Sequence, residues 1–412
     1  MVPKIMRMSA LVEHTIIVLL VWAIPSAALQ PHIYNVLDFH AAGDGKTDDA
    51  HAFMATWQAA CRERSWPIMV IPGGRTFLLS TVRFQGPCMA PITVQLYGKI
   101  TAPRYIWTTK AANFLTFFSI DNLTLTGNGE IDGQGDIWWN CYWQKRCNTR
   151  PILLGFAGCN SLWVQGIQLT DSADKHMTLY RCSQVHVERV SITAPGNSPN
   201  TDGITMALSD HVYISACSIQ TGDDCVSILT YTTDVSVTNS TCGPGHGISV
   251  GSLGGFEEAL VERITVSNCS FSGTMAGVRI KTWQGGKGYA KGFHFESLTM
   301  TAVQNPIVID QFYCPQGNCP LKDGGVAISD VRFINIHGTS SEQEAIKLLC
   351  SKSVHCRDIY LSDINLSWAK HNVSAYATVL NAYGTTWGTV IPGVKLTTGG
   401  TAIPKVQLAP PL

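Results

Sequence analysis

The segment VQGIQL at 164–169 begins a series of hexapeptides with one shared alternation, and this series decides the fold. The first, fourth and sixth positions of each hexapeptide are mostly apolar, and a short turn follows. The others are IDNLTL at 120–125, VERVSI at 187–192, ISACSI at 214–219, VTNSTC at 237–242, VSNCSF at 266–271, FESLTM at 295–300, ISDVRF at 328–333 and LSDINL at 361–366. From Val164 onward, the separation of successive hexapeptides falls within the period of roughly 20–50 residues that is typical of solenoids.

A repeat of this length without intervening helices predicts a β-solenoid, in which each coil adds a short strand to parallel sheets. Hydrogen-bonded strands of neighbouring coils then lie about 4.8 Å apart. A β-sandwich also has regularly recurring strands, but it does not predict one hexapeptide phase at eight or nine successive steps. We therefore predict an all-β chain that forms one domain, a right-handed parallel β-helix.

The two ends of the chain depart from the repeat. Residues 48–62 have a helical apolar face, and a helix there would cover the open edge of the first coil. That face consists of Ala52, Phe53, Thr56, Trp57 and Ala60, with Thr47, Asp48 and Asp49 as candidate caps. Residues 375–412 lose the template, so we predict a non-repetitive C-terminal tail that wraps back.

Composition excludes several classes of protein. The 412 residues carry 29 basic and 29 acidic groups, which leaves no basic surplus for nucleic acid. Only 14% of residues are charged and 45% are hydrophobic, so the chain can bury a large core and is not disordered.

The N-terminus has the order of a secretory signal. Lys4 and Arg7 precede an apolar run at 15–24, and small residues end at Ala28. Ten apolar residues are too few to span a bilayer, which needs about 20. We predict a signal peptide at 1–28 and a secreted domain at 29–412 with no membrane contact after cleavage. An uncleaved anchor or a buried strand is the alternative, because Glu13 borders the apolar run.

Cysteines and sequons agree with secretion. All 14 cysteines follow residue 60, and none has the paired spacing of a zinc site. Cys314 to Cys319 and Cys350 to Cys356 suit small disulfide loops, whereas Cys217 and Cys269 suit buried thiols. Glycosylation sequons start at Asn122, Asn239, Asn268, Asn365 and Asn372, although the cysteine after Asn268 disfavours that one.

The chemistry lies between 198 and 281, in the strings SPNTDG (198–203), GDDC (222–225), CGPGHG (242–247) and RIK (279–281). The spacing from Asp202 to Asp223, and that from Asp223 to His246, is in each case close to one coil. Their side chains are therefore expected one above the other. Arg279 and Lys281 follow one longer coil later and point to the same side of their strand.

Crowded carboxylates raise one another's pKa, so one can stay protonated as a general acid while others act as bases. Hydrolysis of a glycosidic bond requires that division. The nearby Arg279 and Lys281 suit a sugar that bears a carboxylate. Taken singly, the strings are ordinary turns, half of a calcium site, or a solvated strand face. Their joint occurrence at coil spacing favours a catalytic site.

These strings, with YNVLDFHAAGDGKTDDAHAF at 34–53, resemble the polygalacturonases, the family 28 glycoside hydrolases, and the plant branch in particular. The resemblance implies a right-handed parallel β-helix that hydrolyses α-1,4-linked galacturonan with inversion. It also implies a disulfide between Cys225 and Cys242. We expect no metal or cofactor, a monomer, and pectic polysaccharide (polygalacturonate) as the partner. Inversion requires acid and base carboxyls about 6.5–9.5 Å apart.

The resemblance also implies roles for individual residues. Asp223 resembles the proton donor, and Asp202 and Asp224 resemble the pair that activates water. The remaining residues are similar to groups that tune the acid or bind substrate, namely His246, Asn200, Arg279, Lys281 and Tyr313. The string SADKHMTLY around His176 is less typical of the family and is expected to alter a subsite.

Three other functions remain open on the sequence alone. They are a catalytically silent pectin-binding β-helix, a calcium-dependent pectate lyase, and a related rhamnogalacturonan hydrolase. Whether the enzyme acts inside the polymer or from its end depends on loops, for which inserts after Trp283 and Gln311 are candidates.

Overall fold

The computed structural model describes residues 31–108, 112–147, 149–370 and 373–398. The predicted signal peptide and the sequon at Asn372 lie outside these residues. Within them, every strand pairing is parallel, and each coil runs through three sheets in turn. The predicted right-handed parallel β-helix is confirmed. No helix among these residues is long and apolar enough to cross a membrane.

The strands are grouped by sheet. Sheet 1 contains His32–Asn35, Pro67–Ile71, Ile92–Leu96, Leu123–Gly127, Asn160–Gln165, Ser183–Glu188, Asp210–Ser215, Thr232–Thr238, Ala259–Ser267, Gly288–Val303, Ala327–Ser340, Cys356–Trp368 and Ala382–Ile391. Sheet 2 contains Asp44–Asp48, Thr76–Leu78, Lys99–Thr101, Glu130–Asp132, Gln168–Thr170, Ser191–Thr193, Ser218–Gln220, Thr241–Cys242 and Ser270–Ser272. Sheet 3 contains Val82–Gln85, Asn113–Phe118, Ile152–Ala157, Met177–Tyr180, Ile204–Ala207, Val226–Ile228, Ile248–Leu253, Ala276–Trp283, Asn305–Tyr313, Glu344–Leu349 and Tyr376–Leu380.

Sheets 1 and 2 join in the later coils. The strand Gly288–Val303 pairs with the preceding strands of both sheets, because it continues across the bend that separates them elsewhere. Alternation directs one side chain in two inward, as at Val185 and Val187, which are fully buried. One hydrophobic core runs from Val36 to Val394 along the axis of the coils.

The third position of every repeated hexapeptide has a left-handed backbone, which turns the chain between two inward-pointing residues. These positions are Asn122, Gly166, Arg189, Ala216, Asn239, Asn268, Ser297, Asp330 and Asp363, with φ between 50° and 76°. Only glycine adopts this conformation without cost, although asparagine and aspartate tolerate it better than most residues. The bend is therefore the structural origin of the repeat.

Two of the nine hexapeptides lie at a different bend from the other seven. Those beginning at Val164 and Val187 connect sheet 1 to sheet 2, whereas those at Ile120 and Ile328 lie where the chain enters sheet 1. Strand pairing aligns Phe295 with Phe333, so FINIHG at 333–338 is the true equivalent of FESLTM. The assignment of ISDVRF to the repeat is therefore wrong. The separation from Phe295 to Phe333 differs from the separation from Phe333 to Leu361. Both bends use the same left-handed turn, which is why the sequence template did not distinguish them.

The capping helix, α1, spans Ala50–Cys61, within the predicted range, and its predicted apolar face is buried. Asp49 stands at the N-cap, but its carboxylate accepts hydrogen bonds from the backbone of Ala42 and Gly43. Asp48 instead accepts from the N–H of Ala50.

A second helix, α2, at Asp136–Trp143, was not predicted from the sequence. It is only two turns long, so its helical period is too short to detect. Trp138 packs edge-on against Trp107, with ring centroids 5.7 Å apart, and a disulfide joins Cys141 to Cys147 just beyond the helix. A single 3₁₀ turn at Val36–Phe39 is the remaining helical element of the described residues.

The non-repetitive tail was predicted to begin at residue 375, but the chain still forms paired strands beyond that point. Tyr376–Leu380 pairs with Glu344–Leu349 in sheet 3, and Ala382–Ile391 pairs with Cys356–Trp368 in sheet 1. These residues form one more coil. The template is lost there because Gly384 and Thr386 stand in register with the buried Ile359 and Leu361, where the template requires apolar residues. Residues 399–412 lie outside the described part.

Five disulfides are present in the described part of the chain, including the expected Cys225–Cys242. The loop-closing pairs Cys314–Cys319 and Cys350–Cys356 are confirmed, and Cys217 and Cys269 are buried free thiols as predicted. The other two pairs are Cys61–Cys88 and Cys141–Cys147. Three of these bridges, Cys141–Cys147, Cys314–Cys319 and Cys350–Cys356, close short loops of the chain rather than joining distant coils.

The stacked interior predicts a large stability loss on truncation of Phe295. Its ring is buried and lies on that of Phe333, with centroids 5.2 Å apart at 20°. We expect Phe295→Ala to lower the free energy of unfolding by about 3–5 kcal/mol, measured by urea unfolding. The control is Phe256→Ala, which removes a fully exposed ring and should cost less than about 0.5 kcal/mol. Equal losses would contradict this description of the core.

Candidate active site

The predicted catalytic residues lie where the chain passes from sheet 2 to sheet 3. Asp202, the pair Asp223 and Asp224, and His246 directly precede three consecutive strands of sheet 3. Backbone hydrogen bonds join the successive crossings, from Gly203 N to Asp224 O (2.9 Å) and from His246 N to Asp223 O (2.7 Å). The vertical stacking expected from coil spacing is therefore present.

A glycine and a disulfide bring these crossings close together. Gly247 has φ +86°, and a Cβ there would lie 2.0 Å from the carbonyl oxygen of Ala276 on the next coil. The Cys225–Cys242 disulfide joins the residue after Asp224 to the last strand of sheet 2 before His246. Both features hold the carboxylates and the imidazole against neighbouring backbone.

Asp224 is buried and is neutralised by two cations. Arg279 Nη2 donates to its Oδ1 (2.8 Å) and Lys281 Nζ donates to its Oδ2 (2.7 Å). Burial alone would raise the pKa of Asp224, but the charges of Lys281 and Arg279 outweigh it and the pKa is lowered. The sequence assigned both cations to the substrate. The structure also gives them a carboxylate partner within the protein.

Ser249 completes this group and was missed in the sequence. Its hydroxyl donates to Asp224 Oδ1 (2.8 Å) and accepts from Arg279 Nε (3.1 Å). Ser249 lies one coil after Asp224 and one coil before Arg279, so coil spacing was a signal that could have identified it.

Asp223 is hydrogen-bonded on both carboxylate oxygens. His246 Nδ1 lies 2.8 Å from Oδ1, and Asn200 Nδ2 donates to Oδ2 at 3.3 Å. Burial raises the pKa of Asp223, but the hydrogen bond and charge of His246, and the charge of Lys281, lower it by more. The carboxylate is therefore ionised in the unliganded protein.

Asp202 has the opposite electrostatic environment. It is 6% exposed, its Oδ2 accepts from Thr205 Oγ1 (3.1 Å), and Lys175 Nζ is 3.9 Å from its Oδ1. Burial raises the pKa of Asp202 to about 7, with Lys175 opposing and the charges of Asp223 and Asp224 adding to the rise. Lys175 was not predicted, although it lies one coil before Asp202, at the crossing that precedes strand Met177–Tyr180.

His176 does not reach the surface. It is fully buried, its Nδ1 lies 3.1 Å from the carbonyl oxygen of Asp202, and its Nε2 accepts from the N–H of Ser172 (3.3 Å). Burial lowers its pKa to about 4, so it is neutral. The expected effect on a subsite therefore does not arise from the His176 side chain, and in this string Lys175 is the residue beside Asp202.

Tyr313 lies beside the cationic group. Its ring centroid is 5.4 Å from Lys281 Nζ and 5.4 Å from the ring centroid of Trp283. The expected insert after Trp283 is only a turn, since the next strand begins at Gly288. The insert after Gln311 begins beyond Tyr313, as the loop 314–326, and contains the Cys314–Cys319 disulfide.

Ligand atoms of Asp223, Asp224 and His246 lie within 4.8 Å of one another, close enough for a shared metal ion. Both oxygens of Asp224 already accept from cationic side chains, however. A metal ion would have to displace those cations, so this donor set suits internal ion pairs better than a metal.

The raised pKa of Asp202 predicts a pH-dependent stability effect of Asp202→Asn. The folded carboxyl holds its proton more tightly than the unfolded one, whose pKa is 3.8, so wild-type stability falls as pH rises from about 4 to about 7. We expect equal thermal stability near pH 3 and a more stable variant at pH 8, on the order of 2–4 kcal/mol. The exposed Asp38→Asn is the control. A variant that is less stable at pH 8 would contradict the assignment.

Comparison with known sequences identifies relatives along most of the chain. The sequence model described as Glycosyl hydrolases family 28 matches residues 61–383. A probable polygalacturonase of Arabidopsis thaliana is 42% identical over 341 residues, which is 81% of this chain and 74% of that protein. A polygalacturonase of Prunus persica is 41% identical over 379 residues, which is 90% of this chain and 95% of that protein.

Solved structures share the fold. The endo-xylogalacturonan hydrolase from Aspergillus tubingensis superposes with a TM-score of 0.76 at 22% identity, covering 90% of this chain and 100% of that one. An exopolygalacturonase from Thermotoga maritima gives a TM-score of 0.69 at 18% identity, covering 83% and 88%. With the family match across 61–383 and relatives above 40% identity, the chain belongs to glycosyl hydrolase family 28.

Proposed function

We propose that this protein hydrolyses α-1,4-galacturonosyl linkages of homogalacturonan, the polygalacturonate of pectin, with inversion at the anomeric carbon. The observation that carries the proposal is the cluster of Asp202, Asp223 and Asp224 on neighbouring coils with Arg279 and Lys281 beside it. Carboxylates supply acid and base, and cations suit a substrate that bears a carboxylate on each sugar. The names of its polygalacturonase relatives support the same substrate.

In this proposal Asp223 protonates the leaving oxygen, and Asp202 and Asp224 activate the attacking water. His246 holds Asp223 through its Nδ1 and adjusts its protonation, while Asn200 orients the same carboxylate. Lys281 and Arg279, both already bound to Asp224, keep that base ionised. In this proposal Asp202 and Asp224 are the bases, and Asp223, which is hydrogen-bonded to His246, is the acid.

Asp223 must be protonated in order to donate a proton to the glycosidic oxygen. Its pKa is nevertheless lowered in the unliganded protein. A substrate carboxylate beside Lys281 would offset one of the charges that lower it. Exclusion of water by the polymer would act in the same direction, since burial disfavours a carboxylate. Asp202, whose pKa is about 7, is the competing proton donor, and the two titrate as a coupled cluster.

Lys281 and Tyr313 are proposed to contact the substrate. The ammonium group of Lys281 lies 5.4 Å from the centroid of the partly exposed Tyr313 ring. An aromatic ring next to a cation offers an apolar face for a sugar ring and a charge for its carboxylate. Arg279 contributes through Asp224 as well as through any direct contact.

We propose that the protein is secreted to the cell wall as a monomer after removal of residues 1–28. The disulfides support an oxidising compartment, since such bonds persist outside the cytosol. The four sequon asparagines within the described residues are all exposed, which permits glycosylation at Asn122, Asn239, Asn268 and Asn365.

The alternatives differ in products. A silent pectin-binding protein releases no reducing ends, and three crowded carboxylates would serve no purpose in it. A pectate lyase forms an unsaturated product that absorbs ultraviolet light and requires calcium. A rhamnogalacturonan hydrolase would prefer the alternating polymer in a substrate panel. A product-size time course on polygalacturonate separates internal cleavage, with oligomers early, from end-wise release of monomer.

Asp223→Asn is expected to lower reducing-end release from polygalacturonate by at least about 10³-fold, because it removes a group that transfers a proton in the transition state. Circular dichroism should show an intact fold. The matched control is Asp234→Asn, which changes an aspartate on the outer face of sheet 1 that pairs with Arg263. Activity near that of wild type in Asp223→Asn would refute the site.

An activated leaving group distinguishes the proposed acid from the proposed base. A 4-nitrophenyl oligogalacturonide needs little protonation of its leaving oxygen, so it should restore much of the lost rate in Asp223→Asn but not in Asp202→Asn. The measurement is 4-nitrophenol release by each variant. Restoration in Asp202→Asn alone would exchange the roles of the two carboxylates.

A further inference from the structure

We propose that Arg150 is a positioning residue, which orients the side chain of Asn200 so that Asn200 donates a hydrogen bond to Asp223. No motif in the sequence suggested a role for Arg150. The inference rests on the proposed hydrolytic function of the carboxylate cluster and extends it to a residue two coils before Asn200.

The Arg150 guanidinium joins three successive coils. Arg150 lies just before strand Ile152–Ala157, and the crossing that contains Asn200 is two coils later. Its Nη1 donates to the carbonyl oxygen of Ala173 (2.8 Å) and to that of Pro199 (2.6 Å). Arg150 is 4% exposed, so these bonds are shielded from water.

The contact with Asn200 decides which way its carboxamide faces. Arg150 Nη2 donates to Asn200 Oδ1 at 2.8 Å. A guanidinium has hydrogen-bond donors and no acceptor, so it can bond to the oxygen of the carboxamide but not to its NH₂ group. The NH₂ group is left facing Asp223 Oδ2, at 3.3 Å.

Without Arg150 the carboxamide could rotate by half a turn, because its oxygen and nitrogen ends are nearly equal in size. The oxygen would then face the carboxylate of Asp223 and repel it. The 3.3 Å bond is long enough that a small change in the side chain would break it. The orientation therefore depends on the partner at the other end of the amide.

Arg150 also supports the backbone that leads to Asp202. Asn200 has a left-handed backbone, with φ 55°, and the Pro199 carbonyl directly before it accepts from Arg150. One guanidinium thus binds both the main chain before Asn200 and the Asn200 side chain. A change in either bond would move the segment that carries Asn200 and Asp202.

The guanidinium is held from behind by the unpredicted helix α2. The ring of Tyr142, in α2, lies 4.4 Å from Arg150 Cζ, and Asp174 Oδ1 lies 3.7 Å from Nη2. The Cys141–Cys147 disulfide closes the loop that follows α2 and leads toward Arg150. Helix α2 thus contributes to the active site, because its Tyr142 packs against Arg150, the residue that orients Asn200.

A double-mutant cycle tests the proposal. Arg150→Lys keeps the positive charge but replaces the planar fork of donors with a single ammonium group, so it tests geometry separately from charge. We expect kcat on polygalacturonate to fall about 10- to 100-fold, with KM changed by less than about threefold. In an Asn200→Ala background the same substitution should have little further effect, because its target is absent.

Equal fold-losses in the two backgrounds would overturn the proposal, because Arg150 would then act independently of Asn200. A wild-type kcat in Arg150→Lys would overturn it as well. The matched control is Arg104→Lys. Arg104 also donates to a side-chain amide, that of Gln134 (2.9 Å), which in turn donates to Asp132, but this group lies outside the carboxylate cluster. It should leave kcat unchanged.

Asn200→Asp covers the case in which Arg150→Lys does not fold. Aspartate has the same shape and keeps an oxygen acceptor for Arg150, but when ionised it has no donor for Asp223. We expect a folded protein that loses at least as much kcat as Asn200→Ala. Activity above half that of wild type would show that the donor is not needed.

Failure of the proposed function can be separated from failure of this inference. If the wild type releases no reducing ends from polygalacturonate, the function is wrong, and the cycle is then measured on the urea midpoint of unfolding. Non-additive midpoints for Arg150→Lys and Asn200→Ala would still show that the two side chains act as a unit. Additive midpoints would overturn the coupling whatever the substrate is.

Discussion

The vertical register of the coils is the constraint on which the rest of the structure depends. Each backbone crossing is hydrogen-bonded to the one below and the one above, so a residue's neighbours in space are those one coil away in sequence. Asp202, Asp223 and His246 meet because their crossings stack, and not because any local loop folds around them. The same register gives Asp224 its two cations, which arrive from a strand two coils later.

Within this register, burial and charge act in opposite directions on three nearby carboxylates. Asp224 is fully shielded but has Arg279 and Lys281, so it stays ionised. Asp202 is shielded from water and, among the described residues, has no cation as close, since Lys175 Nζ lies 3.9 Å from its Oδ1, so it holds a proton up to about neutral pH. The difference arises from the position of a few cations and not from the net charge of the chain, which is zero. An uncharged total therefore conceals a strongly polarised site.

Much of the fold and the site could be predicted because coil spacing is visible in the sequence. The strings around Asp202, Asp223 and His246 are separated by one coil, so their meeting follows from the repeat alone. The two misplaced hexapeptides could not be recognised, because both bends use the same left-handed turn with the same apolar neighbours. Helix α2 could not be predicted, because tryptophan packing and a disulfide stabilise it rather than a long face of apolar residues at helical spacing. The pairing of Arg279 with Asp224 depends on how far the Arg279 side chain reaches from its strand toward the crossing that carries Asp224, which residue spacing does not specify.

The stacking of the site across consecutive coils also limits how this chain can change length during evolution. Insertion or loss of a whole coil outside the stretch from Arg150 to Tyr313 would move that stretch as one piece, and every contact among its crossings would survive. The same change inside the stretch would separate side chains that lie in adjacent crossings by one further coil, beyond the reach of a hydrogen bond. Relatives of different length are thus expected to differ in the coils near their ends, while the spacing from Asn200 to Lys281 varies only through loops that leave the sheets.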